Sequence, residues 1–240
     1  MSPTAAREAY DAWHERFPVD AEADAPWHRL VRERLDRGRD LIGRRVLEIG
    51  CGRGGFALWL AGAAGGAARI IAADFSPAAV RRGWSFAREH GASRVEWMVG
   101  DIHRLPFGPG SVDTVISCET VEHLSDPAGA LAELARVLRP GGRLFLTTPN
   151  YLNTMGLFRV WHRLTGRPYT EEGQPINRVT MWPRTLGWVR RAGLRITAAD
   201  GSGHYLPIPG RPPVRLRALD GFRPLTRWIA HHSLVVAIKP

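Results

Sequence analysis

The chain has 240 residues, which is enough for one large α/β domain or a domain with a subdomain but would cramp two full domains. Hydrophobic residues make up 44% of the chain and charged residues 23%, and these globular fractions exclude a coiled coil and wholesale disorder. The formal net charge is +10, and the whole excess falls in residues 151–240, where 13 arginines and Lys239 face four acidic residues. Such a region favours an anionic partner, whether a phosphorylated or carboxylated small molecule, an acidic carrier protein, an anionic membrane surface or a nucleic acid. A solvated basic surface without a partner is the simple alternative.

The sequence shows no pattern typical of export or membrane insertion. Its first 17 residues lack a basic segment followed by an apolar one, and the most apolar stretch, residues 56–73, is too short to span a bilayer. Cys51 and Cys118 cannot form a disulfide framework and do not have the spacing of a zinc site. We therefore expect a soluble cytoplasmic protein with two free thiols and no transmembrane segment.

Helical and strand patterns alternate over the first 150 residues. Two amphipathic helices are predicted first, over residues 5–17 and 27–35. Five short apolar runs then read as strands, at residues 44–50, 68–74, 94–100, 111–118 and 142–149. Helices are predicted between them, at residues 56–64, 77–89 and 127–138. The alternation indicates parallel βαβ units.

The pattern is less regular beyond Asn150. A helix is predicted over residues 183–192, and strands over residues 194–200 and 233–240. Two long connections, residues 151–182 and 201–232, remain, and long connections in compact domains are usually functional. We expect them to form an acceptor pocket, although they could instead only decorate the rim of the sheet. The predicted organisation is a single domain made of an N-terminal helical cap (1–43), a cofactor-binding core (44–150) and a C-terminal half with basic insertions (151–240).

A glycine-rich turn joins the first strand to the next helix and contains Gly50, Cys51, Gly52 and Gly54. Glycines at such a turn let the main chain approach a ligand at a helix N-terminus. Asp74 ends the second strand, where a carboxylate can accept both hydroxyls of a ribose. A nicotinamide dinucleotide fits these features, but Glu48 is a poor neighbour for a pyrophosphate and a further acid, Asp101, follows the third strand. Acidic residues around the pocket favour a cofactor that carries positive charge.

Four segments resemble, in the right order, the successive motifs of the class I S-adenosylmethionine-dependent methyltransferases: VLEIGCGRGG, IIAADFS, VGDIHRLPF and VDTVISCETVEHLSDPAGALAELARVLRPGGRLFLTTPN. Together they cover about residues 44–150. The resemblance implies an α/β, Rossmann-like, mostly parallel sheet of seven strands in the order 3-2-1-4-5-7-6, with the last strand antiparallel. N-terminal helices and substrate-binding insertions would complete the domain.

The same resemblance implies a role for each residue of the cofactor site. Gly50, Gly52 and Gly54 would pass beneath the methionine moiety, and Glu48 would support that loop. Asp74 would hold the ribose, whereas Asp101 and the main chain of Ile102 would hold the adenine. The other predicted cofactor contacts are Cys51, Phe75 and Glu119.

Glu119, Glu122 and His123 follow the fourth strand at positions i, i+3 and i+4, so they share one face if the turn is helical. This Glu-x-x-Glu-His segment resembles that of ubiquinone-pathway O-methyltransferases and of small-RNA 2′-O-methyltransferases, where it binds a divalent metal. Two carboxylates and an imidazole are a partial shell for Mg²⁺, Mn²⁺ or Zn²⁺, which His204 or His162 would complete. Two alternatives stay open: His123 acts as a base without a metal, or the two glutamates only favour a helix N-terminus.

The favoured interpretation is an O-methyltransferase that acts on a hydroxyl of a small molecule, such as a secondary metabolite, sugar or phenol. A hydroxyl needs a base or a metal, so His123 with Glu122, or a metal held by Glu119, Glu122 and His123, would activate it. Tyr10 and His14 of the first helix are candidates for closing over the site. The alternatives are N- or C-methylation, RNA 2′-O-methylation, and a protein that binds S-adenosylmethionine without methylating. RNA is disfavoured because no RNA-binding module is recognisable.

Overall fold

The computed structural model describes residues 3–20, 22–92, 94–166, 174–176, 178–208, 211 and 213–240. Parts of the two long connections, residues 167–173, 177, 209–210 and 212, therefore lie outside the described residues. The strands are β1 (Arg45–Ile49), β2 (Arg69–Asp74), β3 (Val95–Val99), β4 (Val112–Cys118), β5 (Leu138–Pro149), β6 (Arg195–Ser202), β7 (Tyr205–Leu206), β8 (Val214–Arg215) and β9 (His232–Ile238).

Seven of these strands form one sheet in the order β3-β2-β1-β4-β5-β9-β6. The pairs from β3 to β5 are parallel, and β9 is antiparallel to both of its neighbours, β5 and β6. Since β9 is the seventh strand of this sheet along the chain, the order confirms the predicted fold. The division of the chain at residues 43 and 150 stays a prediction, and β6 and β9 complete the sheet that the first 150 residues begin.

The helices lie on both faces of the sheet and around its edge. Their bounds are α1 (Pro3–Glu15), α2 (Pro26–Arg34), α3 (Gly55–Ala63), α4 (Pro77–Glu89), α5 (Pro127–Val137), α6 (Thr154–Leu164), α7 (Trp182–Arg191), α8 (Arg217–Asp220) and α9 (Arg223–Thr226). Ser76 and Asp126 begin α4 and α5 as N-caps, because their side chains accept the main-chain N–H groups of Ala79 and Gly129. Within the described ranges, none of the helices is both long and apolar enough to cross a bilayer.

Two apolar clusters hold the helices against the sheet. Successive residues of β1 point to opposite faces, so Leu47 and Ile49 pack with α5 and α7, whereas Val46 packs with α2 and α3. Because both faces are covered, the central strands are apolar at almost every position instead of alternating. Lys239, the single lysine, donates to the carbonyl oxygens of Ala135 and Leu138, both at 2.7 Å, and so closes the C-terminal end of α5.

Two connections differ from the sequence-based prediction. The helix predicted over residues 127–138 was expected to stop before a strand at 142, but β5 begins at once with Leu138. The pairing of β4 with β5 is irregular here, because one residue of β4, Asp113, stands opposite four residues of β5, 139–142. Arg139 forms an ion pair with Asp113 at this irregularity. The second connection, residues 201–232, contains the antiparallel pair β7 and β8 and the short helices α8 and α9.

Candidate functional site

The loops after the parallel strands meet at one edge of the sheet. β9 runs in the opposite direction, so its first residue reaches the same edge, where His232 pairs with Pro149 at the end of β5. This edge therefore brings together the turns after β1, β2, β3 and β4 and the start of β9. Ligands of open α/β sheets bind in the crevice outside the carboxyl ends of the strands.

The glycine-rich turn after β1 is fixed by its neighbours. The N–H of Gly50 donates to the carbonyl of Ala73 at 2.8 Å, which joins the turn to the end of β2. Gly50 and Gly54 both have a φ of +74°, in the left-handed region. A Cβ atom on Gly50 would lie 2.2 Å from Oγ1 of Thr120, and one on Gly54 would lie 2.1 Å from the ring of Trp97. Only glycine fits both positions, and the turn after β4 touches the glycine turn directly.

Two buried carboxyl groups lie next to this turn. Oδ2 of Asp74 accepts the N–H of Gly52 at 2.8 Å, and Oδ1 accepts the N–H of Ser76 at 2.9 Å, so Asp74 ties the turn to the start of α4. Burial raises the pKa of Asp74 to about 6. Burial, with a smaller contribution from Asp74, raises the pKa of Glu48 to about 8, and its Oε2 has no hydrogen-bond partner among the described residues. Two buried acids in one place fit a cofactor that carries positive charge.

Three other predicted cofactor contacts surround the turn. Asp101 is exposed and accepts the main-chain N–H and the ring N–H of His103, both at 2.9 Å. Burial acts to raise the pKa of Asp101, but the two bonds from His103 outweigh it and hold this pKa below its ordinary value. Ile102 is buried in the core, and Cys51 is buried in the turn, where burial raises the pKa of its thiol.

Helix α1 lies over the glycine turn. The ring of Tyr10 packs edge-on against Phe75, with the ring centroids 5.2 Å apart. A Cβ atom on Gly52 would lie 3.3 Å from Cε1 of His14, and Nδ1 of His14 is 3.2 Å from the Arg53 guanidinium. Burial and the charge of Arg53 lower the pKa of His14 to about 4, so His14 is neutral at pH 7. Tyr10 and His14 thus stand where the sequence predicted, and their action as a lid stays a prediction.

Glu122 and His123 lie in a 3₁₀ turn (Val121–His123) after β4. Glu122 is buried, and its Oε1 is 3.6 Å from Nε2 of His123. Nδ1 of His123 forms a hydrogen bond with the carbonyl oxygen of Ile176, and the hydroxyl of Tyr10 donates to the same oxygen at 3.0 Å. Both ring nitrogens of His123 therefore face protein atoms.

Glu119 points away from that pair. Its φ is +46°, an uncommon conformation for a residue with a side chain, and its N–H donates to the carbonyl of Thr147 at 3.1 Å. Oε2 of Glu119 lies 3.6 Å from Nδ1 of His232, and the ring of Trp27 is centred 5.2 Å from that of His232. Oε1 of Glu119 and Nδ1 of His232 are buried without a hydrogen-bond partner among the described residues. Such buried polar atoms are candidates for contact with a ligand or an ordered water.

The predicted metal ligands do not converge. The expected common face is lost because the 3₁₀ turn begins after Glu119, so Glu119 pairs with His232 and Glu122 pairs with His123. Nδ1 of His204 is 2.9 Å from the Asp220 carboxylate, and its Nε2 is 3.1 Å from the carbonyl of Thr226. The ring of His162 packs edge-on against Phe158 of α6. Across the part of the chain that the structure describes, no group of three His, Cys, Asp or Glu side chains could hold a metal ion.

The sequence-based prediction missed His232 and Trp27. His232 is the second of two histidines directly before the last predicted strand, and Trp27 was assigned only to a helix face. The signal was present, because a final antiparallel strand begins where the parallel strands end. Knowing the strand order therefore suffices to place His232 at the carboxyl edge of the sheet, beside the end of β5, but not to pair it with Glu119.

The fold and the site together define an α/β enzyme of the class that binds a nucleotide-type cofactor at the carboxyl edge of the sheet. A profile of the methyltransferase domain matches residues 47–146. The ubiquinone biosynthesis O-methyltransferase of Xanthomonas euvesicatoria is 32% identical over 224 residues, which cover 90% of this chain and 85% of that protein. The chain belongs to the class I S-adenosylmethionine-dependent methyltransferases.

Other similar proteins match in part or in fold. A 37.1 kDa protein of transposon TN4556 from Streptomyces fradiae is 40% identical over 109 residues, which cover 45% of this chain and 31% of that protein. The chain thus spans about a third of that relative. A methyltransferase of Haloferax volcanii, solved in complex with the activator Trm112, has a TM-score of 0.68 and 22% identity and covers 98% of this chain and 97% of its own. The cyclase SpnF has a TM-score of 0.59 and 22% identity, over 88% of this chain and 80% of its own. These two likenesses show the fold alone.

Proposed function

We propose that the protein transfers the methyl group of S-adenosylmethionine to a hydroxyl oxygen of a small-molecule acceptor. The observation that carries the proposal is the buried pair of Glu119 and His232, which lies beside the glycine turn with a polar atom of each residue still unpaired. Oxygen as the acceptor atom is supported by the relative that matches over most of both chains, an O-methyltransferase.

The cofactor residues are proposed in the roles that the family resemblance implies. Gly50, Gly52 and Gly54 lie beneath the methionine moiety, and Glu48 supports them. Asp74 accepts the ribose hydroxyls, while Asp101 and the Ile102 main chain bind the adenine. Cys51, Phe75 and Glu119 complete the contacts. The positive φ values of the turn and the two buried acids fit this assignment.

The acceptor hydroxyl has to lose its proton, and His232 is placed to take it. When bound, S-adenosylmethionine supplies a methyl carbon on a positively charged sulfur, so that attack by the acceptor oxygen leaves a neutral thioether. Nδ1 of His232 lies 3.6 Å from the Glu119 carboxylate, which is too long for a hydrogen bond. We propose that this pair closes when the cofactor and acceptor bind, so that Glu119 orients the ring and Nε2 acts as the base. The proton of the acceptor hydroxyl passes to Nε2 and then to solvent.

His123 with Glu122 is the second candidate for the base. The sequence motif supports this pair, but both nitrogens of His123 already face the protein, one at Ile176 and one at Glu122. We assign His123 instead to holding residues 174–176 against α1. A metal bound by Glu119, Glu122 and His123 has no support from the geometry, and no step is proposed through one.

The acceptor is proposed to be anionic or bound to an acidic carrier, because residues 151–240 hold the whole charge excess. A secondary metabolite, a sugar or a phenol meets this description. N- or C-methylation and RNA 2′-O-methylation are the alternatives, and the fold shared with the cyclase SpnF favours testing a non-methylating role as well. A cytoplasmic location is also proposed, on the two free and buried cysteines.

The test has two stages. S-adenosylhomocysteine is titrated into the protein by calorimetry, and then methyl transfer from labelled S-adenosylmethionine is measured on phenols, catechols, sugar phosphates and matched amines. We expect micromolar binding and label only in the hydroxylated acceptors. Failure of the ligand to bind overturns the methyltransferase proposal, whereas transfer to amines alone overturns the oxygen assignment.

A further inference from the structure

The apolar stripe of helix α6 faces the solvent and not the core. Leu157, Val160, Trp161 and Leu164 occupy positions i, i+3, i+4 and i+7, so they share one face. All four are exposed, Leu157 at 73% and Leu164 at 81%. A surface helix normally turns such a stripe towards the core. Among the described residues this stripe is therefore largely open to solvent, with the ring of Trp161 stacked against that of Phe158 in the same helix.

A second exposed apolar group lies in the connection between β6 and β9. Phe222 is 62% exposed and Leu225 is 82% exposed, and Ile229 follows one helical turn later. The start of α6 contacts the same connection, because the Thr154 hydroxyl donates to the carbonyl of Tyr205 in β7. The basic apolar surface is defined here as Leu157, Val160, Trp161, Leu164, Phe222, Leu225 and Ile229.

Arginines accompany these apolar residues. Arg163 on α6 and Arg217 on α8 are exposed, and Arg211 lies in the same connection. The acidic residues nearby are engaged: Asp220 with His204 and Arg215, Asp200 with Arg34, and Glu33 of α2 with Arg223. Exposed arginines of residues 151–240 therefore accompany the exposed apolar side chains on α6 and in the connection between β6 and β9.

We propose that the basic apolar surface docks the protein on an anionic lipid bilayer. A short helix with exposed leucines, a tryptophan and arginines is typical of segments that lie in the membrane interface. Arginines attract anionic headgroups, and the aliphatic side chains enter the acyl boundary. A nucleic acid would leave the five exposed aliphatic side chains of this surface (Leu157, Val160, Leu164, Leu225 and Ile229) without a matching partner, and a second copy of this chain would meet the same positive charge. The proposal does not depend on the identity of the methyl acceptor.

The surface opens at the edge of the sheet that holds the candidate site. α6 follows the end of β5, and the connection with Phe222 and Leu225 runs from the end of β6 to the start of β9. The ends of β5 and β6 and the start of β9 all lie at the carboxyl edge, since Pro149 and Ser202 both pair with His232. Docking by this surface would therefore bring the candidate site close to the lipid headgroups.

The test is co-sedimentation of the full chain with vesicles of phosphatidylcholine alone and of phosphatidylcholine mixed with phosphatidylglycerol. We expect binding to the anionic vesicles, weakened by salt. The double variant Leu157→Glu/Leu164→Glu should lower the partition coefficient at least about tenfold, as should Phe222→Glu/Leu225→Glu. The matched control Trp84→Glu changes an exposed apolar residue on α4, outside the surface, and should leave binding unchanged.

Arg163→Glu/Arg217→Glu provides an independent arm that leaves the apolar side chains intact, and it should also weaken binding to anionic vesicles. Thermal unfolding and S-adenosylhomocysteine affinity, unchanged in all variants, would show that the fold and cofactor site are preserved. Absence of vesicle binding, equal binding by the apolar variants, or binding of RNA in place of vesicles overturns the proposal. None of these outcomes bears on methyl transfer, which is measured separately.

Discussion

Nδ1 of His232, the first residue of β9, lies 3.6 Å from Oε2 of Glu119. Glu119 directly follows the end of β4. The two residues are 113 positions apart in the sequence. They meet because β9 runs antiparallel to β5, so that its first residue stands beside the carboxyl ends of the parallel strands. The left-handed φ of Glu119 turns its side chain towards β9.

His232→Gln should lower kcat by about a hundredfold or more, because a positioned general base contributes on this scale. Glu119→Gln should lower kcat less, since the amide keeps the size of the carboxylate beside His232 but not its charge. His204→Gln is the matched control, as that ring is held by Asp220 and Thr226 away from Glu119. Steady-state kinetics measures kcat for all three variants, and their affinity for S-adenosylhomocysteine shows whether the cofactor site is intact. If kcat falls more in His123→Gln than in His232→Gln, His123 and not His232 is the general base.

Gly50→Ala should destabilise the protein and abolish cofactor binding. The left-handed backbone alone costs about 1–2 kcal/mol for a residue with a Cβ atom, and that atom would collide with the side chain of Thr120. Gly62→Ala is the control in the following helix, where nothing lies within 4 Å and the change should stabilise by about 0.5–1 kcal/mol. Denaturant unfolding and calorimetry measure both effects, and normal ligand binding by Gly50→Ala would contradict the assigned loop.

Cofactor affinity should depend on the ionisation of Asp74. Its pKa of about 6 in the unliganded protein means that the carboxyl group is protonated below pH 6. A protonated carboxyl group accepts the ribose hydroxyls poorly, so the S-adenosylhomocysteine Kd should rise as the pH falls below 6, by at most about tenfold per pH unit. Any change of Kd above pH 7 would reflect Glu48, whose pKa is about 8, and not Asp74. Calorimetry from pH 5 to pH 8 tests this, and Asp74→Asn should bind weakly without that pH dependence. An equal pH dependence in the variant would assign the titration to another group.

Removal of divalent metal should leave the activity unchanged. Glu119 and Glu122 pair with different histidines, so the two carboxylates and His123 do not form the shell that Mg²⁺ or Zn²⁺ requires. Activity is compared before and after treatment with EDTA, and Mg²⁺ is titrated into the protein by calorimetry. The metal site would be reinstated if chelation abolished the activity, Mg²⁺ restored it, and Glu122→Gln could not be restored by Mg²⁺.

Local sequence patterns were sufficient for the strands of the main sheet and for most helices, whereas the strand order was implied by the family resemblance. The apolar runs, the glycine turn and the N-caps act over a few residues, so the seven strands and most helices could be predicted from their own segments. Two features escaped for the same reason. The early start of β5 depends on the irregular pairing of residues 139–142 with Asp113, and the two-stranded pair β7 and β8 depends on contact across a connection.

The sequence by itself determined the fold, the family and the side of the sheet on which the cofactor residues lie, because these follow from strand order and short motifs. Only the tertiary structure decided which carboxylate meets which histidine. Spacing places Glu119, Glu122 and His123 on one helical face, whereas the left-handed backbone of Glu119 and the 3₁₀ turn separate them. The direction of β9, which the family resemblance implied, brings His232 to the carboxyl edge, but only the folded chain shows that its ring meets Glu119, 113 residues away.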